Sequence, residues 1–575
     1  EKWAKGKDPA LVQTADGDWR LTTDEKKRIL VNNIHGVDID QQAVEVTKLS
    51  LLLKVLEEET GQLTLGFERA LPDLNDNIKC GNSLIGWDYF EGQLLPSEEE
   101  VARVNPFDWE KEFPEVLKQR GFDAVIGNPP YLKEKNNSEF FETLRKSRTK
   151  KYCIGRMDVW YAFACFSIDL TNPKGFHSFI ATNNWITSEG ASILREKIMS
   201  ETTIVSFVDF ADYMVFSDAS IQTMIYVLQK ENRRKIYYTP FLKISDNEIA
   251  KKEIIRKLIN FGEKTYGWIK SLIDPSKGDE IFTFTSSENE EILNKIESSY
   301  CFHLQNKEIG NGIDVLQDFV TKRHLKKLDD KFSIGDGVFV LSETEKNRVI
   351  KTINDADKIK PYYSTSEIDR YKSEKNNSYW IIYADKEVKE NIKYYPGIKE
   401  HLDKFKPILT SSYGPYELNR SRDEGYFLGE KILSLRKTRR ASFSLVEFPS
   451  YVTRAFLIIK PRSRELSLKF LLGILNSKLI QFCLYHRGKK QGDQLQVDKK
   501  PLLDLPLRDI DKKNPEDVNK YKLMILYVNN MLELHKRNPK TPYEEKQLER
   551  EIAATDTQID RLVYDLYGLT EEEIK

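Results

Sequence analysis

The sequence predicts an α/β fold in its amino-terminal half, followed by a region of mixed α+β texture and a helical tail. Three observations support this prediction. Residues 30–230 alternate short β-rich runs with helical ones, a pattern typical of a parallel sheet covered by helices. Residues 306–510 spread strand-like runs among polar loops around one strongly apolar helix. From residue 511 two amphipathic stretches are separated by Pro539 and Pro542, which indicates a helical hairpin.

Changes in composition and in the pattern of helical and strand-like runs divide the chain into four predicted parts. Its 575 residues exceed what a single hydrophobic core usually serves, so several domains are expected. Residues 1–235 are expected to hold the catalytic α/β domain, and 236–305, which are charged and irregularly helical, a connector or insertion. Residues 306–510 form the predicted second domain, and 511–575 the predicted helical hairpin.

Composition limits the classes of function. The net charge is -1, so a nucleic-acid site would have to come from local clusters of positive charge. The five cysteines form no CxxC pair, which argues against a disulfide framework or a zinc knuckle and fits a reducing cytoplasm. No metal site is predicted. No apolar run approaches the roughly 20 residues that cross a bilayer, so no membrane association is expected.

One short stretch gives the clearest indication of a ligand site. In "DAVIGNPPY" an apolar strand runs into Asn128, Pro129, Pro130 and Tyr131. Open α/β sheets bind ligands at the carboxyl ends of their strands, where this amide is expected. The Asn128 side-chain oxygen and the Pro129 carbonyl could accept both N–H bonds of an exocyclic amino group, and Tyr131 offers a flat face for a base outside the duplex stack. A simple tight turn is the alternative explanation.

The stretch resembles the NPPY motif of amino-methyltransferases that use S-adenosylmethionine. Together with the further motifs described below, it resembles the N6-adenine DNA methyltransferases of the TaqI and Type IIG restriction-modification kind. This resemblance implies a Rossmann-like methyltransferase sheet, S-adenosylmethionine as cofactor, and a DNA target-recognition domain after the sheet. Duplex DNA is the implied partner, and a prokaryotic cytoplasm is the implied location.

Two further motifs supply the residues that the resemblance assigns to the cofactor. "GVDIDQQAVEVTKLSLLL" resembles the motif whose acid binds the ribose hydroxyls, which places Asp38 in that role, with Asp40 as a competing neighbour. "IKCGNSLIG" resembles the motif that contacts the cofactor adenine, which places Asn82 there. The family often has Asp at that position, so a plain turn residue is the alternative.

The resemblance also assigns residues to the target base and to DNA. "VDFADYMVFSDASIQTMIYVLQ" places Phe216 opposite Tyr131 as the second face around a flipped adenine, although a core role is the alternative. Basic residues after the NPPY turn and in the second domain are expected to contact DNA phosphates, unless they belong to ordinary solvated loops. The predicted DNA-binding residues are Lys133, Lys135, Arg436, Arg439, Lys489 and Lys490.

The sequence departs from this family in one respect. The family has a glycine-rich turn before the Asp38 motif, whereas here Asp8-Pro9-Ala10 is followed by Leu11, Val12 and Gln13. We therefore expect an incomplete cofactor site and a sheet incomplete at its amino end, in a chain that lacks its amino-terminal part. A nuclease domain could precede it in the parent protein. The predicted function is site-specific methylation of adenine N6 in DNA. The alternatives are a DNA-binding fragment without activity, and a methyltransferase for RNA or protein glutamine.

Overall fold

The fold is described by a computed structural model. It covers residues 10–13, 17–56, 72–93, 95–211, 213–216, 221–244, 246, 248–278, 282, 284–328, 331–410, 413–461, 466–491 and 494–575. They form two compact units, Glu1–Phe282 and Thr283–Lys575.

The first unit alternates helices and strands. Its strands are β1 (Leu11–Gln13), β2 (Trp19–Leu21), β3 (Gly36–Asp38), β4 (Ile78–Cys80), β5 (Phe122–Gly127), β6 (Thr171–Thr182), β7 (Thr203–Asp209), β8 (Thr223–Gln229), β9 (Tyr237–Lys243) and β10 (Trp268–Ile273). Its helices are α1 (Thr23–Asn33), α2 (Gln41–Leu56), α3 (Glu98–Val104), α4 (Trp109–Glu112), α5 (Pro114–Lys118), α6 (Ser138–Leu144), α7 (Val159–Leu170), α8 (Ser192–Glu201) and α9 (Lys251–Ile259). The result is the predicted α/β class.

Six of these strands form one mixed sheet in the order β10-β9-β7-β8-β6-β5. Strand β5 runs parallel to β6, and β7 runs parallel to β9. Strand β8 runs antiparallel to both of its neighbours, as β10 does to β9. The prediction of a parallel sheet was therefore wrong in this respect. The reason is that residues 210–222, which join β7 to β8, contain no helix in their described part, and a parallel crossover normally needs one.

A separate parallel pair, β3 with β4, lies beside the amino end of β5. The two strands are in register from Gly36 opposite Ile78 to Asp38 opposite Cys80. The His35 ring, just before β3, lies edge-on to the Phe122 ring with centroids 5.9 Å apart. Among the described residues, β3 pairs only with β4 and β5 only with β6. Strands β3 and β5, which lead to Asp38 and Asn128, thus begin near one another.

The second unit contains many short strands. They are β11 (Cys301–Phe302), β12 (Ile309–Asn311), β13 (Val340–Leu341), β14 (Ile359–Tyr363), β15 (Ile368–Asp369), β16 (Lys372–Ser373), β17 (Tyr379–Ile382), β18 (Lys431–Leu435), β19 (Lys437–Thr438), β20 (Phe443–Val446), β21 (Tyr451–Val452), β22 (Phe456–Ile459), β23 (Lys489–Gln491), β24 (Gln494–Gln496) and β25 (Leu507–Arg508). Two four-stranded sheets, β12-β22-β18-β20 and β13-β17-β14-β21, carry much of its core.

The second unit also contains helices, in agreement with the predicted mixed α+β domain. They are α10 (Ser287–Ser298), α11 (Glu343–Val349), α12 (Ile353–Asp357), α13 (Lys386–Glu390), α14 (Pro396–Asp403), α15 (Leu468–Leu475), α16 (Lys478–Arg487), α17 (Lys499–Leu503), α18 (Pro515–Leu534), α19 (Pro542–Leu566) and α20 (Glu571–Ile574).

The single apolar helix expected near residue 475 is two helices, α15 and α16, bent by 61°. Asn476 ends α15, and its side chain bonds both the N–H and the C=O of Phe443 at 3.0 and 2.9 Å. The hydroxyl of Ser477 then accepts the N–H of Ile480 and begins α16. Among the described residues no single helix is long and apolar enough to cross a membrane. The bent pair meets that criterion only when its two helices are joined, and most of α15 is buried in the protein core.

Helices α18 and α19 form an antiparallel pair over the stretch predicted as a hairpin. Lys520 pairs with Asp565 at 2.9 Å, and Arg537 pairs with Glu551 at 2.6 Å. Helix α18 lies so close to α15 that a Cβ on Gly473 would come within 2.4 Å of the Met524 sulfur. The hairpin is therefore built into the core of the second unit.

The predicted connector at 236–305 is divided differently in the structure. Strands β9 and β10 belong to the six-stranded sheet of the first unit, whereas α10 and β11 belong to the second unit. The change of unit falls at Phe282 and Thr283. The charged sequence hid these two strands. Strand β10 is the edge strand of the sheet and pairs only with β9 among the described residues, whereas β9 lies between β10 and β7.

Candidate functional site

The turn that follows β5 presents a side-chain amide to solvent. Asn128 is exposed and Pro129 behind it is buried. The Tyr131 hydroxyl lies 2.7 Å from the Asn128 Oδ1 atom and 2.9 Å from the Ile180 carbonyl oxygen on β6. Since one hydroxyl carries one proton, it donates to one of these acceptors at a time. Tyr131 thereby fixes both its own ring and the direction of the Asn128 oxygen.

The Tyr131 ring is partly buried, and its hydroxyl stays protonated. Burial raises the pKa of Tyr131 to about 12, and the negative charge of Asp158 adds to this rise. Beneath the turn, Phe179 of β6 lies so close that a Cβ on Gly127 would come within 3.0 Å of its ring. The strand can therefore approach its neighbour and still deliver Asn128 at its carboxyl end.

Polar residues after β6 surround the same edge of the sheet, and the sequence analysis missed them. The Trp160 indole N–H donates to the Thr182 hydroxyl at 3.1 Å, and that hydroxyl lies 2.9 Å from the Asn184 side-chain oxygen. The Tyr161 hydroxyl reaches the same oxygen at 3.4 Å. The available signal was the run "ATNN" at the end of a strand, because polar residues at that position favour a ligand site.

Asp38 and Asp40 can now be told apart by their hydrogen bonds. Both are exposed. Asp40 accepts the N–H of Gln42 at 2.9 Å and so caps the start of helix α2. Asp38 ends β3 and accepts the N–H of Asp40 at 2.8 Å through Oδ1 only. Its Oδ2 accepts no hydrogen bond from the described residues, so Asp38 fits a carboxylate that binds vicinal hydroxyl groups.

The Asn82 side chain is bonded within its own loop. It is 6% exposed, its Oδ1 accepts the N–H of Leu84 at 3.1 Å, and its amide donates to the Val104 carbonyl at 3.3 Å. Both ends of the side chain thus hold the loop after β4 together. These bonds suit a structural turn residue, the alternative that the sequence left open, and the contact of Asn82 with the cofactor stays a prediction.

Phe216 lies in the short described stretch 213–216 after β7 and is partly exposed. Its neighbours Met214 and Val215 are 46% and 36% exposed. Apolar side chains therefore reach solvent in this stretch. Its stacking opposite Tyr131 stays a prediction.

The basic residues after the turn fall into two groups. Arg145 pairs with Glu134 at 2.6 Å, and Arg148 donates to the Phe107 carbonyl at 3.0 Å, so both serve the fold. Lys133 and Lys135 are exposed and make no ion pair with the described residues. These two predicted DNA contacts are therefore available to a phosphate.

The basic residues of the second unit divide in the same way. Arg436 pairs with Asp498, which satisfies part of its guanidinium inside the fold. Arg439 is exposed and forms no ion pair with the described part of the chain. The backbones of Lys489 and Lys490 lie in β23, but their side chains fall outside the described residues. Among the predicted contacts of this unit whose side chains the structure describes, Arg439 is thus available to a phosphate.

Family models match both units of the chain. Residues 32–216 match the Eco57I restriction-modification methylase, and residues 360–507 match the TaqI-like C-terminal specificity domain. The first match spans Asp38, the turn after β5 and Phe216. The second spans Arg436, Arg439, Lys489 and Lys490.

Curated relatives agree with these matches. The type II restriction enzyme and methyltransferase RM.Eco57I of Escherichia coli is 24% identical over 97% of this chain and 56% of its own length. The type II methyltransferase M.HincII of Haemophilus influenzae is 24% identical over 71% of this chain and 78% of its own. The chain thus spans about half of the first relative.

A solved structure shares the fold. The type IIL restriction-modification enzyme MmeI, in complex with DNA, aligns with a TM-score of 0.59 at 15% identity, over 95% of this chain and 65% of that one. Two regions of the chain thus match models of a restriction-modification methylase and of a specificity domain, and these relatives are type II restriction-modification methyltransferases and enzymes.

Proposed function

We propose that this chain is the methylating part of a restriction-modification system and transfers a methyl group from S-adenosylmethionine to adenine N6 in duplex DNA. The observation that carries the proposal is the exposed Asn128 amide, whose oxygen is fixed by Tyr131 at the carboxyl end of β5. It lies within the region that matches a methylase model, and a specificity-domain match follows it along the chain.

The turn suits an amino group because it offers acceptors and no formal charge. The lone pair of adenine N6 is delocalised into the ring, so N6 is a poor nucleophile. Acceptors aimed at its two N–H bonds favour the pyramidal, nucleophilic state. A carbonyl oxygen has two acceptor positions, so Asn128 can keep the Tyr131 hydroxyl and still accept one N–H. The Pro129 carbonyl accepts the other, and proline keeps that carbonyl rigid.

The cofactor supplies the methyl group, and Asp38 is the described residue that fits its ribose. The Oδ2 atom of Asp38 accepts no hydrogen bond from the described residues and could accept one from a ribose hydroxyl, whereas Asp40 caps α2. Tyr131 and Phe216 would enclose the extruded base, and stacking of roughly 1–3 kcal/mol per base would offset part of the unstacking cost.

Binding to DNA would rest on the exposed cations. We call residues 128–131 the acceptor turn. Lys133 and Lys135 follow this turn closely, and Arg439 lies in the region that matches a specificity domain. Such side chains neutralise phosphates without regard to sequence. The specificity region would then select the site at which the base leaves the duplex.

A second candidate is DNA binding without methyl transfer by this chain alone. The sequence before Asp38 contains no glycine-rich turn that would let the backbone approach the methionine part of the cofactor. Calorimetry with S-adenosylmethionine separates the two functions. Measurable cofactor binding favours the methyltransferase, whereas no cofactor binding with intact DNA affinity favours the second candidate.

The class of substrate is tested by competition. The protein is incubated with tritiated S-adenosylmethionine and a mixture of phage DNA, ribosomal RNA and a glutamine-containing protein extract, which are then separated and counted. The proposal expects label in DNA. Label in RNA or protein with none in DNA would contradict it.

A further inference from the structure

A pocket of the second unit is lined by basic side chains that lie outside the candidate site. The pocket has a volume of about 250 Å³ and lies between α11, α14 and the loop 331–337. Lys331 belongs to that loop, Arg348 belongs to α11, and Lys404 follows α14 directly. All three side chains are exposed. The pocket thus presents three cations that pair with no acid in the described part of the chain.

The acids of the same pocket are bound by other groups. Both oxygens of Glu345 accept backbone N–H groups, at 2.7 and 2.8 Å. An oxygen of Asp336 accepts a further backbone N–H at 2.8 Å, and Glu400 pairs with Lys351. Each of these acids thus stabilises a turn or an ion pair within the unit. The three cations have no such role among the described residues, so they can bind an anion from outside the chain.

A neutral imidazole and two aromatic rings line the inner wall of the pocket. The His401 Nε2 atom lies 2.9 Å from the Val338 carbonyl oxygen and donates to it. Burial lowers the pKa of His401, so its ring is neutral at pH 7. The Phe332 and Phe405 rings pack nearby, with centroids 5.0 Å apart. The positive charge is therefore concentrated at the exposed mouth, where it suits a phosphate at the surface and not a small anion enclosed in the pocket.

The turn before the pocket adds more positive charge. It covers residues 321–328, and within it the N–H of Leu325 bonds to the Thr321 carbonyl at 3.3 Å. Leu325 and Leu328 pack against the core of the unit. The exposed cations of the turn, which form no ion pair with the described residues, are Lys322, Arg323, Lys326 and Lys327. Like charges in one short turn repel one another, and a bound polyanion would relieve that repulsion.

Backbone hydrogen bonds join this turn to the loop of the pocket. Val320, just before the turn, donates its N–H to the Asp336 carbonyl at 2.8 Å and accepts the N–H of Gly335 at 2.9 Å. Phe319 pairs with Gly337 in an antiparallel bridge. The turn therefore begins where the loop of the pocket ends. We call the four cations of the turn and the three unpaired cations of the pocket the basic surface.

We propose that the basic surface binds the phosphate backbone of duplex DNA, with one phosphate at the mouth of the pocket and neighbouring phosphates along the turn. Charge complementarity carries this assignment, because cations spread over two joined segments match a regular row of phosphates. Such contacts position the duplex without reading its bases. The inference rests on the proposed function, which requires duplex DNA as the partner of this chain.

The basic surface lies largely outside the region that matches a specificity domain. Six of its seven cations precede residue 360, where that match begins. None of the seven is among the predicted DNA-binding residues. The surface therefore extends the DNA contacts of the second unit beyond the matched region.

Fluorescence anisotropy with two duplexes of unrelated sequence tests the proposal. The variant Arg348→Gln with Lys404→Gln removes two charges from the mouth of the pocket. It should lower the slope of log affinity against log salt by about 2 for both duplexes, and binding at 0.1 M salt should weaken about tenfold. The matched control, Lys386→Gln with Lys536→Gln, removes two exposed lysine charges that are already ion-paired, and it should keep the natural slope.

A second variant, Lys322→Gln with Lys326→Gln, tests the turn and should also lower the slope by about 2. Circular dichroism verifies that each variant is folded. Natural slopes in both variants, or a loss confined to one duplex, would overturn the proposal, because phosphate contacts do not depend on sequence. A natural protein that binds no duplex would contradict the proposed function as well. Lowered slopes without methyl transfer would support the basic surface and contradict the proposed function alone.

Chemical labelling of lysines gives a readout that needs no variant. Brief acetylation of the natural protein is followed by mass spectrometry with and without saturating duplex DNA. Lys326 and Lys404 should react at least about threefold more slowly with DNA bound, whereas Lys386 should be unchanged. Vesicles of anionic phospholipid replace the DNA in a parallel sample. Protection by the vesicles and not by DNA, or protection by neither, would overturn the proposal.

Discussion

Two asparagines follow parallel strands of the same unit, yet only one is free to act on a ligand. Asn128 comes directly after β5, is exposed, and has its oxygen held by the Tyr131 hydroxyl at 2.7 Å. Asn82 comes two residues after β4 and is 6% exposed, with both ends of its amide bonded to the backbone. The same side chain at a similar place is thus open to a ligand in one loop and bonded into the fold in the other.

The difference comes from the residues that follow each asparagine. After Asn128, two prolines supply no backbone N–H that could bind the amide, so its oxygen stays outside. After Asn82, Leu84 has an N–H in reach and takes the oxygen. The position of a residue at a strand end is therefore insufficient evidence for function, and the supply of nearby backbone donors decides.

The largest effect is expected from Asn128→Ala. Removal of one preorganised hydrogen-bond partner of the transition state typically costs about 10²- to 10³-fold in kcat. The thermal midpoint should barely change, because the side chain is exposed. Single-turnover methylation of DNA measures the rate, with Asn136→Ala, an exposed asparagine of the same segment, as the control. A variant with full activity would break the proposed distinction between the two asparagines.

The opposite result is expected from Asn82→Ala. Two buried backbone groups lose their partner, so the free energy of unfolding should fall by about 1–3 kcal/mol. The methylation rate per folded molecule should change less than in Asn128→Ala. Urea unfolding and active-site titration measure the two quantities. A large loss of rate with unchanged stability would restore the predicted cofactor role of Asn82.

Asp158→Asn tests how the buried carboxylate near the acceptor turn affects stability. Burial raises the pKa of Asp158 from 3.8 to about 6, so the folded state binds this proton more tightly than the unfolded state does. Stability from this group is present below about pH 4 and is lost as the pH rises through 6. The variant should therefore be more stable than the natural protein by up to about 3 kcal/mol at pH 8 and about equal to it at pH 4. Urea unfolding at both pH values checks this, and a lower stability at pH 8 would contradict it.

The smallest effect is expected from the exposed lysines. Lys133→Ala and Lys135→Ala should each lower the slope of log affinity against log salt by about 1, if each neutralises one phosphate. Fluorescence anisotropy with duplex DNA at several salt concentrations measures the slope. Lys118→Ala is the control, because Lys118 is exposed but paired with Glu115 at 2.7 Å. Equal slopes in all proteins would remove these lysines from the DNA interface.

Sequence reasoning succeeded where one local pattern determines the structure. The apolar run 122–127 followed by two prolines predicts a strand and an abrupt turn, and β5 with its exposed Asn128 confirms this. The hydrogen bonds distinguish Asp40, which caps α2, from Asp38, whose cofactor role stays a prediction. Strand direction was not predictable from apolar patterning alone, because parallel and antiparallel strands can bury the same residues.

The remaining misses depend on contacts between distant segments. Asp158 precedes an apolar helix and has the sequence of an ordinary cap, and only its burial against residues 132–134 distinguishes it. The break between α15 and α16 depends on bonds from Asn476 to Phe443 of β20, 33 residues earlier in the chain. Periodicity within one window carries no information on such partners.

The atom that receives the methyl group is the most direct test of the proposed acceptor turn. DNA is incubated with the protein and S-adenosylmethionine that carries a deuterated methyl group, then digested to nucleosides and analysed by mass spectrometry. The proposed geometry of Asn128, Pro129 and Tyr131 predicts the deuterated methyl on N6 of adenine. A label on a ring carbon of cytosine would contradict it, because that position has no amino N–H for the turn to accept.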